Sequence, residues 1–124
     1  MGRGESILVV DDVKNQRKLA FRLLSRLGYN VETVNSGEDA VEHLKSNRAD
    51  LIVLDMIMEA GIDGLDTYRE AIKLHPGQRA ILVSGFMETE RTVEAQHLGA
   101  GVFVQKPYMM EILAMAVRKE LDRK

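Results

Sequence analysis

The chain has 124 residues, about the length of one ordinary domain, with 17 Lys plus Arg against 19 Asp plus Glu and a formal net charge of −2. That balance gives no electrostatic case for direct nucleic-acid binding or for adhesion to an anionic membrane surface. There is no cysteine, which excludes disulfides and thiolate metal sites, and uncharged runs such as Ala80 to Met87 fall far short of the ~20 apolar residues of a membrane span.

These features lead to the expectation of a soluble cytoplasmic protein with one domain, residues 6–124, behind a leader or linker remnant of residues 1–5. Ile7-Leu8-Val9-Val10 reads as a strand buried on both faces, and it ends abruptly at Asp11-Asp12. From Asn15 to Leu27 the residues Leu19, Ala20, Leu23, Leu24 and Leu27 recur at helical spacing, and Gly28 stops that helix. Val31 and Val34 mark a weaker strand. Ser36 then opens a helix carrying Ala40, Val41 and Leu44 that ends near Asn47. Leu51-Ile52-Val53-Leu54 is the clearest buried strand and terminates in Asp55. After a loop to Ile62, Asp63 caps a helix through Leu74 with Leu65, Tyr68, Ala71 and Ile72 on its apolar face. Ala80 to Val83 is a fourth strand, ending at Ser84-Gly85, and a helix is expected from about Glu88 to Leu98, stopped by Gly99. Val102-Phe103-Val104 is a fifth strand ending at Lys106-Pro107, and a last helix runs from about Met110 to Leu121, with Met115 expected in the core. Gly37 and Gly101 read as turn or helix-start glycines, and His43, His75 and His97 as surface residues without metal-ligand spacing.

Five strand-helix units with short connections predict an α/β fold, a three-layer doubly wound five-stranded parallel sheet of flavodoxin-like order 2-1-3-4-5. Such sheets bind ligands outside the carboxyl ends of their strands, where the strand order reverses. That edge would collect Asp11, Asp12, Asp55, Ser84 and Lys106 from four separate segments. Three carboxylates in one place repel one another, a cost that a hard divalent cation removes. Mg2+, for which Mn2+ could substitute, suits an all-oxygen site, with Asp12, Asp55 and the Ile57 backbone carbonyl as ligands and Asp11 a ligand directly or through water. Lys106 and Ser84 both suit a phosphoryl oxygen, which makes Asp55 the natural nucleophile and an aspartyl phosphate the product.

With these residues in place, the sequence resembles the receiver domains of two-component signalling over essentially its whole length. The likeness rests on the ordered set Asp11-Asp12, Asp55, Asp63-Gly64, Ser84-Gly85, Leu98-Gly99-Ala100, Phe103 and Lys106-Pro107. It implies phosphoryl transfer to Asp55 from a phosphohistidine on a histidine kinase or phosphotransfer protein, with Mg2+ held by Asp11, Asp12 and Asp55. It also implies a phosphoryl contact from Lys106, a cis Lys106-Pro107 peptide, and a switch in which Ser84 moves and Phe103 turns inward. The fourth helix, fifth strand and fifth helix would then carry the signal to an unknown downstream protein, and a phosphorylation-dependent dimer is one form of that output. Val83-Ser84-Gly85-Phe86 and Lys106-Pro107-Tyr108 are similar to receivers fused to hybrid sensor histidine kinases. Such a domain catalyses only its own phosphorylation and dephosphorylation. No direct contact of this domain with nucleic acid or membrane is expected.

Two departures from the family pattern stand out. The loop Met58-Glu59-Ala60-Gly61-Ile62 lacks the usual proline and looks one residue longer than common. Ile57 and Phe86, two residues beyond Asp55 and Ser84, are apolar and cannot orient an attacking water, which predicts slow self-dephosphorylation. Three other readings remain: a degenerate receiver acting by contact alone, a flavin-binding flavodoxin-like domain, and an aspartate-nucleophile phosphatase. Asp11-Asp12-Val13-Lys14 would repel a flavin phosphate, and Ile57 stands where such a phosphatase needs a second acid.

Overall fold

A computed structural model describes residues 2–85 and 89–123. Its elements in chain order are β1 (Ser6–Val10), α1 (Lys14–Arg26), β2 (Asn30–Val34), α2 (Gly37–Ser46) and β3 (Leu51–Asp55). They continue as α3 (Gly64–Leu74), β4 (Ala80–Ser84), α4 (Glu90–His97), β5 (Phe103–Gln105) and α5 (Met110–Asp122). The strands form one sheet in the order β2-β1-β3-β4-β5, and every neighbouring pair is parallel. This is the flavodoxin-like order expected from the alternation of apolar strands and amphipathic helices.

Parallel strands need crossover helices, and those helices bury both faces of the sheet. Alternate residues of β1, β3 and β4 therefore serve two cores. Leu8, Val10, Ile52, Leu54 and Leu82 pack against α2, α3 and α4 through Leu44, Leu65, Tyr68 and Ala95. Ile7, Val9, Leu51, Val53, Ile81 and Val83 face α1 and α5 through Leu24, Leu113 and Val117. With both faces covered, β3 and β4 are buried along their whole length. None of the helices among the described residues is long and apolar enough to cross a membrane.

Local signals account for most boundaries. Ser36, Asp63 and Thr89 each accept a backbone N–H three residues on, capping α2, α3 and α4. Gly28 follows α1 with φ +96°, a left-handed conformation that favours glycine as a helix stop. Residues 2–5 lie against this turn. Gly2 N–H donates to the Leu27 carbonyl at 2.6 Å, and the Glu5 carboxylate pairs with Arg118 of α5 at 2.9 Å.

The structure corrects several expectations. The fourth helix begins at Glu90, because Thr89 supplies the cap; Glu88, where it was expected to start, lies outside the described residues. Val102 is 42% exposed and precedes β5, which starts at Phe103. Leu19 is 44% exposed, since the buried side of α1 is centred on Ala20 and Leu24. Met115, expected in the core, is 68% exposed; Leu113, Ala116 and Val117 take the buried side of α5. Periodicity groups residues on a face but does not say which apolar residue at its margin the neighbouring element covers. Gly101 is neither a turn nor a helix start but a close approach, since a Cβ there would collide with the Glu120 carboxylate.

Asp63 joins two helices as well as capping one. Its carboxylate accepts from Asp66 N–H at 3.0 Å and from Arg91 of α4 at 2.6 and 3.0 Å. Burial alone would raise this carboxyl, but the Arg91 hydrogen bond, the Asp66 N–H and the charges of Arg91 and Arg69 together outweigh it and hold Asp63 below its ordinary range. Asp63→Ala is expected to lower stability by about 1–2 kcal/mol, mostly as a lost cap, with the exposed ion pair adding little. Urea unfolding beside Arg91→Ala, which keeps the cap, separates the two contributions.

Candidate functional site

The register of the sheet builds the site. Val10 of β1 pairs with Leu54 of β3, so the next residue on each strand, Asp11 and Asp55, emerges side by side at the carboxyl edge. Asp55 in turn pairs with Val83, placing Ser84 one residue beyond it on β4. Lys106 follows β5, and its backbone N–H donates to the Ser84 carbonyl at 2.7 Å. The Lys106-Pro107 peptide is cis. The strand-end reading thus located a single edge, and the structure brings Asp11, Asp12, Asp55, Ser84 and Lys106 to it.

Asp11, Asp12 and Asp55 each present a carboxylate oxygen within 4.8 Å of the others. Asp11 and Asp55 are buried and Asp12 is half-buried, so the cluster opens to solvent on one side. Backbone donors aim the carboxylates. Val13 N–H donates to Asp11 at 2.9 Å, Ile57 N–H to Asp55 at 3.2 Å and Glu59 N–H to Asp12 at 2.9 Å. The Lys106 ammonium lies 2.8 Å from Asp11 and 3.5 Å from Asp55. Among the described residues this donor set fits a hard divalent cation: three carboxylates, no nitrogen or sulfur ligand, and an open side for retained water.

The electrostatics follow from burial and crowding. Burial raises the Asp55 carboxyl to about 6; Lys106 pulls it down, while Asp11 and Asp12 push it up. Burial would lower the Lys106 ammonium, but its hydrogen bond to Asp11 and the charge of Asp55 outweigh that and hold it above its ordinary value. The folded chain therefore binds the Asp55 proton more tightly than the unfolded chain does, whose carboxyl titrates near 3.8. The sign is a loss of stability for the metal-free protein as pH rises from about 4 to about 6. Asp55→Asn is expected to remove that slope and to stabilise the metal-free protein at pH 7 by up to about 3 kcal/mol. Urea unfolding at several pH values with a chelator present measures it, and an unchanged slope in the variant would refute the assignment.

Loop β3–α3 is held by contacts no motif announces. Glu38 of α2 accepts Ile62 N–H at 2.8 Å, and Gly64 N–H donates to the Met56 carbonyl at 3.2 Å. A Cβ at Gly64 would lie 2.6 Å from Met56 Cα, so the Asp63-Gly64 pair is needed for the helix to approach the strand end. The proline-free loop is accordingly anchored at its middle, to Asp12 through Glu59, and near its end, to α2 through Glu38.

Other expected residues are distributed as follows. Ser84 is buried beside a cleft of about 390 Å³ that Ile57, Asp63, Thr89 and Arg91 also line. Phe103 is half-buried and packs on the α2, α3 and α4 side, opposite Leu82 in register. The Ile57 side chain is exposed. Phe86 lies outside the described residues. Sequence reasoning did not find Glu38, Arg91 or the backbone donors of Val13 and Glu59. Only Asp63 carried a signal, as a cap, and its pairing with Arg91 spans 28 residues.

The family profile described as "Response regulator receiver domain" matches residues 7–118. The chain is 28% identical over 117 residues to the chemotaxis protein CheY of Thermotoga maritima, covering 94% of this chain and 97% of that one. It is 34% identical over 115 residues to the transcriptional regulatory protein ZraR of Escherichia coli, covering 93% of this chain but only 26% of that longer protein. The response regulator TrrA of Thermotoga maritima, solved in complex with Mg2+–BeF, superposes with a TM-score of 0.82 at 31% identity, covering 93% of this chain and 97% of that one.

Proposed function

The chain belongs to the response regulator receiver domain family, and from that premise we propose that it is the phosphoacceptor of a two-component phosphorelay, with Asp55 as the residue that takes the phosphoryl group. The observation that carries this reading is the juxtaposition of Asp55 with Lys106 at 3.5 Å inside a three-carboxylate cluster. Receiver domains act as phosphoacceptor modules that also catalyse their own dephosphorylation, without a separate substrate to turn over. The donor is a phosphohistidine on a histidine kinase or phosphotransfer protein.

Asp11, Asp12 and Asp55 would hold Mg2+, with the Ile57 backbone carbonyl completing the protein ligands and Mn2+ able to substitute. The bound cation would neutralise the phosphoryl oxygens and keep Asp55 ionised. The relative TrrA, holding Mg2+–BeF, supports that assignment. An Asp55 carboxylate oxygen attacks phosphorus in line, and the Ile57 N–H steadies the other oxygen. Lys106 contributes a positive charge to one phosphoryl oxygen and Ser84 a hydroxyl to another. Movement of Ser84 toward the phosphoryl group, with Phe103 turning inward behind it, would alter the face of α4, β5 and α5. Ile112 and Met115 give the α5 part of that face an exposed apolar character suited to a protein partner or to a second copy.

Intact mass after incubation with acetyl phosphate and a divalent cation tests the reading. One added phosphoryl group supports it; no adduct, with no cation bound by titration, would leave a receiver working by contact alone. The lifetime of the adduct gives a further prediction. Ile57 is 45% exposed at the site rim and offers no hydrogen bond to an attacking water. Ile57→Asn is expected to speed loss of the adduct by about tenfold, read by mass against time. An unchanged lifetime would show that Ile57 does not protect the phosphoryl group.

A further inference from the structure

Of the three clustered carboxylates, Asp12 is held differently from the other two. Asp11 and Asp55 each accept an N–H from the residue two further along the chain, Val13 at 2.9 Å and Ile57 at 3.2 Å, and both face the Lys106 ammonium. Among the described residues, the one hydrogen bond to the Asp12 carboxylate comes from Glu59 N–H at 2.9 Å, 47 residues away in the chain. Asp12 is also the half-buried member of the cluster. A short side chain at the open side turns among its rotamers unless a group from outside its own segment fixes it. The aim of this carboxylate is therefore decided by loop β3–α3.

What fixes that loop lies on α2. Among the described residues, three backbone N–H groups of residues 57–62 make hydrogen bonds: Ile57 to Asp55, Glu59 to Asp12 and Ile62 to Glu38. Two of the acceptors are cluster carboxylates, and the third is the side chain of Glu38 in the first turn of α2, at 2.8 Å. Gly61 turns with φ +77°, and a Cβ there would run into the Glu38 carboxylate. A Cβ at Gly37 would lie 2.6 Å from Ile62 Cγ1. The start of α2 thus grips residues 61 and 62, yet Glu38 itself is exposed and fills no core space. The loop contains no proline, so Glu59 keeps the N–H that it donates.

We propose that Glu38 is a positioning residue for the divalent cation: by holding Gly61 and Ile62 it fixes where Glu59 stands, and the Glu59 N–H holds the Asp12 carboxylate beside Asp11 and Asp55. This rests on the reading of those three carboxylates as the cation site of the phosphoacceptor. A hydrogen bond from outside the ligand set orients a metal-binding carboxylate, and losing such a bond costs about tenfold or more in affinity. Glu38 stands one step further out, where the expected cost is about fivefold. Its negative charge would also attract a cation through space. Gln separates the two effects, because its amide oxygen accepts the same N–H without the charge.

Mg2+ is titrated into the isotope-labelled chain and followed by backbone amide shifts. Glu38→Ala is expected to weaken Mg2+ binding about fivefold and Glu38→Gln by less than about twofold. In an Asp12→Asn chain, adding Glu38→Ala should change the affinity by less than about twofold, because the route to the cation is already cut. Without metal, exchange of amides with water, read by magnetisation transfer, should speed up at Glu59 as well as at Ile62 in Glu38→Ala and stay at the wild-type rate in Glu38→Gln. Unchanged strand amides in both variants show that the fold holds. Labelling by acetyl phosphate should be slower in Glu38→Ala at low Mg2+ and reach the wild-type rate at saturating Mg2+. Equal losses in the Ala and Gln variants would mean that only the charge of Glu38 acts, and a full effect in the Asp12→Asn chain would mean a route that bypasses Asp12. Either result overturns the proposal, as does a Glu59 amide that is unmoved while that of Ile62 speeds up. If Mg2+ shifts no amide of the wild type, it is the cation reading that fails, and the role of Glu38 falls with it.

Discussion

Asp55→Asn is expected to abolish the phosphoryl adduct while leaving the fold intact and, without metal, more stable. Asn keeps the size of the side chain and an oxygen that can accept the Ile57 N–H, a bond of 3.2 Å in the wild type. It lacks the anionic oxygen needed to attack phosphorus, and it removes one of the three charges that would bind the cation. Loss of one carboxylate ligand is expected to weaken Mg2+ binding by about tenfold or more. Mass spectrometry reads the first effect and isothermal titration the second. An adduct of equal yield in the variant would mean that another nucleophile accepts the phosphoryl group, and Asp11 and Asp12 would be the next to test.

Lys106→Ala separates the two tasks of the cluster. The ammonium lies 2.8 Å from Asp11 and 3.5 Å from Asp55, so it already neutralises part of the charge that a cation would neutralise. Removing it is expected to tighten Mg2+ binding by about tenfold, because the carboxylates lose an internal competitor at close range. In the same variant the rate of phosphorylation is expected to fall by about 10² to 10³, because a preorganised positive charge on the phosphoryl group is gone. Without metal the variant should be destabilised by about 3 kcal/mol, since Asp11 and Asp55 would be left buried with backbone donors but no cation. Thermal unfolding with and without Mg2+ then shows a wider gap than in the wild type. Metal affinity and labelling rate that fall together would show instead that Lys106 mainly holds the carboxylates in place.

Both expectations depend on the same few ångströms of geometry, and the sequence supplied much of it. The abrupt stops at Asp11 and Asp55 after apolar runs are legible because a strand buried on both faces carries its charges only at its carboxyl end. Asp63 was legible as a cap and Gly28 and Gly99 as helix stops, since each acts within its own turn. The resemblance to receiver domains rested on those local signals in their order along the chain.

The sequence alone therefore determined the element order, the parallel sheet and the set of residues delivered to its carboxyl edge. These follow from period, run length and caps, which are properties of a few neighbouring residues. Only the tertiary structure decided which groups pair and which stay exposed. It placed Lys106 closer to Asp11 than to Asp55, joined Arg91 to Asp63, anchored the proline-free loop through Glu38 and put Met115 outside the core. It also left the cations of α1 on an open face. Each of these depends on the register and packing of elements far apart in the chain, and their distances arise only when the sheet assembles.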